Sequence, residues 1–233
     1  DLATGRNFST SISASGEIAD VKKIVEPVVV TNTNTSLLYI DFAKDGFEIG
    51  GSVLGQVINK LGKQTPTVTD NAYFAKAFNA VQDLIHADKV LAGHDISEGG
   101  MITALLEMNF ANTKGGMDIS LGGLEESDIV KILFSEKPAI VVQVENGEAV
   151  IEELKAKGVE AINIGAPTEE RALNIVSGDF DQSFDIDAFR TLWYKTSYLL
   201  DRQQGKELDK FPDFKEIELD PLLYQISCST LGF

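Results

Sequence analysis

A chain of 233 residues, 43% hydrophobic and 24% charged, is long enough to bury a sizeable core as one large domain or two small ones. Its net charge of −16 argues against general nucleic-acid binding, which demands a basic face, but leaves room for a nucleotide held by a local cation or a helix terminus. One cysteine, Cys228, and two histidines, His86 and His94, exclude an internal disulfide, a cysteine-based zinc site and a histidine-rich metal cluster. No run reaches the length of a membrane span and the start lacks the form of a signal peptide, so a cytoplasmic protein is expected.

Residues 1–15 are rich in Ser, Thr and Gly, with little pattern, and form an atypical N-terminal segment. Leu37–Asp41 has the length and apolar content of a strand. Gly50-Gly51-Ser52 then introduces a helix predicted from Val53 to about Leu61 and closed by Gly62. This glycine turn could form a second anion-binding helix start, but a close-packed corner is the favoured reading. A second helix is predicted over Asn71–Ala87, with Phe74, Ala77, Phe78, Val81, Leu84 and Ile85 at helical spacing. His86 lies near its end, where a cation suits the helix dipole.

Val90–His94 reads as a strand and Gly99–Phe110 as a helix, apolar over most of its circumference and so expected to be buried on more than one side. Met101 and Met108 read as core filler. Glu125, Glu126 and Asp128 resemble a solvated helix start, and Ala139–Val144 is the continuous apolar run of a central strand. Gly147–Lys157 is a helix stopped by Gly158, while Ala161–Ile164, Ala172–Val176 and Ser183–Ile186 are strand-like. The pieces predict an α+β fold, a mixed β sheet with flanking helices over residues 16–186. An aromatic helix over 187–205 carries Phe189, Trp193 and Tyr194 and is expected to dock on something outside the chain; 206–233 is a linker-like tail.

The most informative stretch is Leu91-Ala92-Gly93-His94-Asp95-Ile96-Ser97-Glu98-Gly99-Gly100. Its order, strand then polar turn then helix, puts Asp95 and Ser97 at the carboxyl end of a strand, where open α/β sheets hold their ligands. Glycines admit a ligand close to the backbone, and a helix amino end offers unpaired N–H groups and a positive dipole. An anionic ligand, most plausibly phosphate with a metal ion, suits this corner. The plainer alternative is that Asp95 and Ser97 cap the helix and the glycines make a turn. His94 could serve as an acid/base group, but a hydrogen-bonded structural role is favoured, because nothing in the sequence pairs it with a second titratable group.

Together with Leu105-Leu106-Glu107-Met108, Leu38-Tyr39-Ile40-Asp41, Gly50-Gly51-Ser52, Leu133-Phe134-Ser135-Glu136 and Leu192-Trp193-Tyr194, this stretch resembles phosphoribosylformylglycinamidine synthase, the glutamine-dependent ligase of purine biosynthesis. The likeness is to the C-terminal subdomain of its second synthetase half, over roughly residues 16–205. It implies the C-terminal fold of aminoimidazole ribonucleotide synthetase-related proteins and an enzyme that converts formylglycinamide ribonucleotide to formylglycinamidine ribonucleotide with ATP. In that family the second half holds a nucleotide with a structural role. By position, Asp95 would hold Mg²⁺, Ser97 would contact the phosphates of ATP or ADP, and Gly99 and Gly100 would admit the nucleotide. The resemblance also implies that the chain is a fragment, inactive alone, whose partners are the other synthetase subdomains and a glutaminase domain. Cys228, with no His after it, is not a glutaminase nucleophile. A noncatalytic nucleotide-binding scaffold or interaction domain is the alternative, and a small-molecule kinase of the same superfamily is disfavoured.

Overall fold

The computed structural model describes residues 20–204 together with Ser13, Gly16 and Glu17. The rest of the atypical N-terminal segment, Gly205, the 206–233 tail and Cys228 lie outside the described residues.

Seven strands form one mixed sheet: β1 (Ser36–Asp41), β2 (Val90–Asp95), β3 (Gly116–Ser120), β4 (Ala139–Val144), β5 (Ala161–Thr168), β6 (Ala172–Ser177) and β7 (Phe180–Asp185). They run in the order β2-β4-β1-β5-β3-β6-β7. Every neighbouring pair is antiparallel except β3 with β6. The helices are α1 (Val53–Val57), α2 (Asn71–His86), α3 (Gly100–Phe110), α4 (Ile129–Phe134), α5 (Gly147–Ala156) and α6 (Ile186–Gln204).

Alternation along β1 divides the core between the two faces of the sheet. Leu37 and Tyr39 join the cluster built with Met101, Leu105 and Met108 of α3 and Ile132 of α4. Leu38 and Ile40 join the cluster built with Ala77, Val81 and Leu84 of α2 and Leu154 of α5. β4 lies inside the sheet as its apolar run requires, and its polar Gln143 is fully buried but satisfied. The Gln143 amide donates to the Val30 carbonyl and the Thr35 hydroxyl and accepts from the Val30 N–H, each at 2.8 Å, stapling the entering chain to the sheet.

α3 is buried from Gly100 to Phe110 at all but two positions, Thr103 and Glu107, because the sheet, α4 and α6 pack on three of its sides. Met101 and Met108 are core residues. α2 is amphipathic, and Phe78 departs from the expected apolar face: it is 47% exposed, while Tyr73 and Ala80 are buried.

Several boundaries move. The helix expected to reach Leu61 ends at Val57, because the chain turns back: the Lys60 N–H donates to the Gly55 carbonyl at 2.7 Å and Asn59 adopts φ 56°. β5 runs on through Pro167 to Thr168, pairing with β3, an unexpected strand with only two apolar side chains behind a glycine pair. Ile186 begins α6 rather than closing a strand, since the Asp185 carboxylate accepts from the N–H groups of Asp187 and Ala188. α6 packs on α3: Trp193 lies 6.0 Å from Phe110, ring to ring, and Arg190 reaches the carbonyls of Phe110 and Asn112. Leu192 and Leu200 stay exposed on its outer side.

Candidate nucleotide and metal site

β1 and β2 both run antiparallel to β4, so their carboxyl ends lie at the same end of the sheet, Asp41 opposite Ala139 and Asp95 opposite Ile140. Three loops meet there: the Gly50-Gly51-Ser52 turn into α1, the Asp95–Gly100 turn into α3, and the Ser135–Lys137 segment into β4.

The Gly50 turn is a closed corner. Ser52 is 1% exposed; its hydroxyl accepts from the Gly55 N–H at 3.2 Å, capping α1, and donates to the Ile49 carbonyl at 2.7 Å. The N–H groups of Gly50 and Gly51 donate to the carbonyls of Gln64 and Leu61, and a Cβ on Gly50 would lie 2.2 Å from the Gln64 oxygen.

The Asp95 turn is built differently. Ile96 is buried and its N–H donates to the Ala139 carbonyl at 2.9 Å, anchoring the turn's middle; Asp95, Ser97 and Glu98 are exposed. Neither Asp95 nor Ser97 caps α3, so the plainer reading of these side chains fails. The N-cap is Gly99, in the left-handed region at φ 87° and with no side chain to accept an N–H. Glu136 holds this N-cap by the cap's own N–H: its Oε1 accepts from Gly99 N–H at 3.1 Å and from Val53 N–H at 2.8 Å. Gly100 follows at φ 75°, and a Cβ there would lie 2.5 Å from the Leu133 carbonyl oxygen, so this glycine admits α4 rather than open space. Of the four candidate residues, two present exposed side-chain oxygens, Asp95 and Ser97. Among the described residues the Asp95 carboxylate pairs with His94 alone, at 3.6 Å, and its side chain is 74% exposed. The two glycines shape the turn.

His94 does have a titratable partner, which corrects the expectation from sequence. Its Nε2 lies 3.2 Å from Glu107 Oε2, one turn before the end of α3, and its Nδ1 lies 2.7 Å from the Asp95 carbonyl. Both ring nitrogens face acceptors, so the doubly protonated ring is favoured; the Glu107 hydrogen bond raises the His94 pKa against the opposing effect of burial. The other Glu107 oxygen accepts from Trp193 Nε1 at 2.9 Å, tying α6 to the same carboxylate.

Beside the turns, a hollow of about 860 Å³ opens at the end of β1, lined by Tyr39, Asp41, Phe47, Glu126, Lys137 and Ile162 among others. At its base, the buried Lys137 ammonium donates to Asp41 at 2.6 Å and lies 4.7 Å from the centre of the Phe47 ring. Burial pushes the Asp41 pKa up in spite of Lys137, and it pushes the Tyr39 phenol up as well, whose buried hydroxyl has no hydrogen-bond partner among the described residues.

Glu107 and Glu136 carry no marker in the sequence as site residues. A lone carboxylate in an apolar helix hints at Glu107, but Glu136 reaches Gly99 and Val53 across 37 and 83 residues, beyond any local spacing rule. Among the described residues no group of three or more His, Cys, Asp or Glu could hold a metal ion, and no helix is long and apolar enough to cross a membrane.

Residues 36–177, from β1 through β6, match the family described as AIR synthase related protein, C-terminal domain. An Arabidopsis thaliana protein described as "Probable phosphoribosylformylglycinamidine synthase, chloroplastic/mitochondrial" is 35% identical over 198 residues, which cover 83% of this chain and 14% of that protein. Among solved structures, PurLQS from Thermotoga maritima matches with a TM-score of 0.54 and 18% identity, covering 73% of this chain and 28% of that one. T. maritima PurL complexed with FGAR matches with a TM-score of 0.56 and 16% identity, over 73% of this chain and 30% of that one. These structures share the fold, and each relative is several times longer than the matched part. With the family match spanning the sheet from β1 to β6 and both turns at its end, the chain belongs to the family of AIR synthase related protein C-terminal domains.

Proposed function

We propose that this chain is a C-terminal subdomain of a phosphoribosylformylglycinamidine synthase, the ligase that uses ATP and glutamine to convert formylglycinamide ribonucleotide to formylglycinamidine ribonucleotide in purine biosynthesis. Its part in that enzyme is to supply the Asp95–Gly100 turn to a nucleotide site of structural role. The observation that carries the reading is the turn itself: an exposed carboxylate that meets only His94, at 3.6 Å, and an exposed hydroxyl with no hydrogen bond among the described residues, at the carboxyl end of β2 and the amino end of an 11-residue helix. The Arabidopsis relative's description and the T. maritima PurL structures with ATP and ADP support the ligand class.

An exposed carboxylate is a hard oxygen donor that fits Mg²⁺, and Ser97 can donate to a phosphate oxygen. Bound there, Mg²⁺ would neutralise phosphate charge. Asp95 is one ligand, so the remainder would come from phosphate, water and residues outside this chain; the isolated chain is expected to bind nucleotide weakly and to lack activity. Gly99 N–H is engaged by Glu136, which leaves Ser97 and the next turn of α3 to meet a phosphate. The other synthetase subdomains and a glutaminase domain are the proposed partners, and the exposed Leu192, Leu199 and Leu200 of α6 give them an apolar face to cover. The cytoplasm is the proposed location, with an organelle as the alternative set by the Arabidopsis relative.

The test is calorimetric titration of the intact synthase with Mg·ADP, repeated with Asp95→Asn. Affinity should fall by at least tenfold while the thermal melt stays put, because the side chain is exposed. Unchanged affinity would put the nucleotide elsewhere.

A further inference from the structure

Three consecutive side chains between α4 and β4 each make a hydrogen bond to a distant segment at the site end of the sheet. The Ser135 hydroxyl donates to the Glu48 carbonyl at 2.8 Å. Glu136 Oε1 accepts from Val53 and Gly99, and Lys137 donates to Asp41. Of the three, Glu136 alone touches the Asp95 turn. We propose that Glu136 is a positioning residue for the nucleotide site: one carboxylate oxygen locks the turn against the start of α1 and so fixes where Asp95 and Ser97 present their oxygens. The inference rests on the reading of that turn as a nucleotide site.

The physical need is specific to this turn. Gly99 stands at a helix N-cap with no acceptor of its own, in a conformation that glycine alone adopts freely, so the unrestrained turn would sample many arrangements. Side chains hold it from both directions. Glu136 takes its N–H, and the Thr103 hydroxyl donates to its carbonyl at 3.1 Å. A charged acceptor gives stronger hydrogen bonds than a neutral one, and here it also sits at the positive ends of two helices. Asp95 and Ser97 lie four and two residues before this anchor, with Ile96 pinned to Ala139 between them. Ser97 therefore lies between two fixed points, and Asp95 between the first of them and the β2 ladder, where it pairs with Ile140; ligands held in place in advance do not have to be ordered on binding.

The experiment titrates Mg·ADP into the intact synthase carrying Glu136→Ala, Glu136→Gln, Ser135→Ala or Asp95→Asn, with a thermal melt for each. Glu136→Ala should weaken binding by about tenfold, the scale of one charged hydrogen bond. Glu136→Gln keeps an amide oxygen at the same reach and should stay within about threefold of the parent. Ser135→Ala removes a hydrogen bond from the same segment without touching the Asp95 turn, and should leave affinity unchanged even where it lowers the melting temperature. If Glu136→Ala does not fold, Glu136→Asp carries the test, since it keeps the charge and withdraws the acceptor by one methylene; the same weakening is expected. Normal affinity in the Ala or Asp variant overturns the proposal, as does equal weakening by Ser135→Ala, which would mean general loosening. Tighter binding by Glu136→Ala also overturns it, by making the carboxylate a competitor for the phosphate. Normal affinity in Asp95→Asn sinks the site and the proposal together, whereas loss in Asp95→Asn with none in Glu136→Ala sinks the proposal alone.

Discussion

The two glycine turns at the site end of the sheet look alike in sequence and have opposite designs. Gly50-Gly51-Ser52 spends its hydroxyl on itself: Ser52 is buried, caps α1 and closes the loop back onto Ile49. The Asp95–Gly100 turn leaves its polar side chains outside and is held at the Gly99 N–H by Glu136, a residue remote in the chain. One carboxylate oxygen serves both turns, so they are held in common while differing in what they leave free. A glycine-rich strand-to-helix turn is thus no sign of a ligand site in itself. The useful sign is whether the polar side chains within it are already employed.

The largest effect that can break this comparison is at the glycines. Gly100→Ala must place a methyl 2.5 to 2.8 Å from the backbone of Leu133 and Phe134 and hold a left-handed φ, which together should cost about 2–5 kcal/mol. The clash is between two packed helices, so the loss should appear as a lower global melting temperature. Gly50→Ala meets Gln64 at 2.2 Å, but Gln64 lies in an exposed loop that can shift, and about 1–3 kcal/mol is expected, confined to α1 and its loop in hydrogen exchange. An equal global loss for both would mean that the first turn is as central to the fold as the second.

A smaller effect sharpens it. Ser52→Ala removes a buried cap and should cost about 1 kcal/mol, while leaving nucleotide affinity alone. Ser97→Ala removes an exposed hydroxyl that bonds to nothing in the described structure, so the melt should not move, while under the proposed function Mg·ADP affinity should fall in the intact protein. A destabilised Ser97→Ala protein with normal affinity would reverse the two assignments.

Much of this was legible beforehand. The 3.6-residue spacing of α2, the all-round apolar character of α3 and the unbroken apolar run of β4 each marked an element that packing then used, with Phe78 left outside the buried face of α2. The strand-to-helix placement of Asp95 was readable too, since alternation and glycines act locally. What stayed hidden was decided by distant partners. β3 offers Met117 and Ile119 and becomes a strand because β5 and β6 flank it. His94 lacked a visible acid because Glu107 reaches it from the next helix across the edge strand. Glu136 was noticed only within a resembling stretch, since the two amides it serves are neighbours in space and not in sequence.

The smallest effect lies away from both turns, on the α2–α5 face, and serves as their reference. The Lys157 ammonium donates to Asp83 at 2.8 Å and approaches Glu153 at 3.5 Å, and Lys89 also pairs with Glu153. Hydrogen bonds from Lys157 hold Asp83 below the usual carboxylate range, and Lys89 does the same for Glu153. A carboxylate whose folded pKa is depressed contributes stability that is fully present above its unfolded value, about 4, and is lost as pH falls through the lower folded value. These groups are solvent-exposed and screened, so the contribution at neutral pH is slight. Asp83→Asn should therefore melt a little below the parent at pH 7, and the gap should close as the pH falls through 4 toward 3. The same small gap should add to Ser52→Ala or Gly100→Ala without interaction, because neither turn shares a partner with this face. A gap that persists at pH 3 would mean that Asp83 stabilises by packing rather than charge, and non-additivity would mean that the turns and the far face are coupled through the sheet.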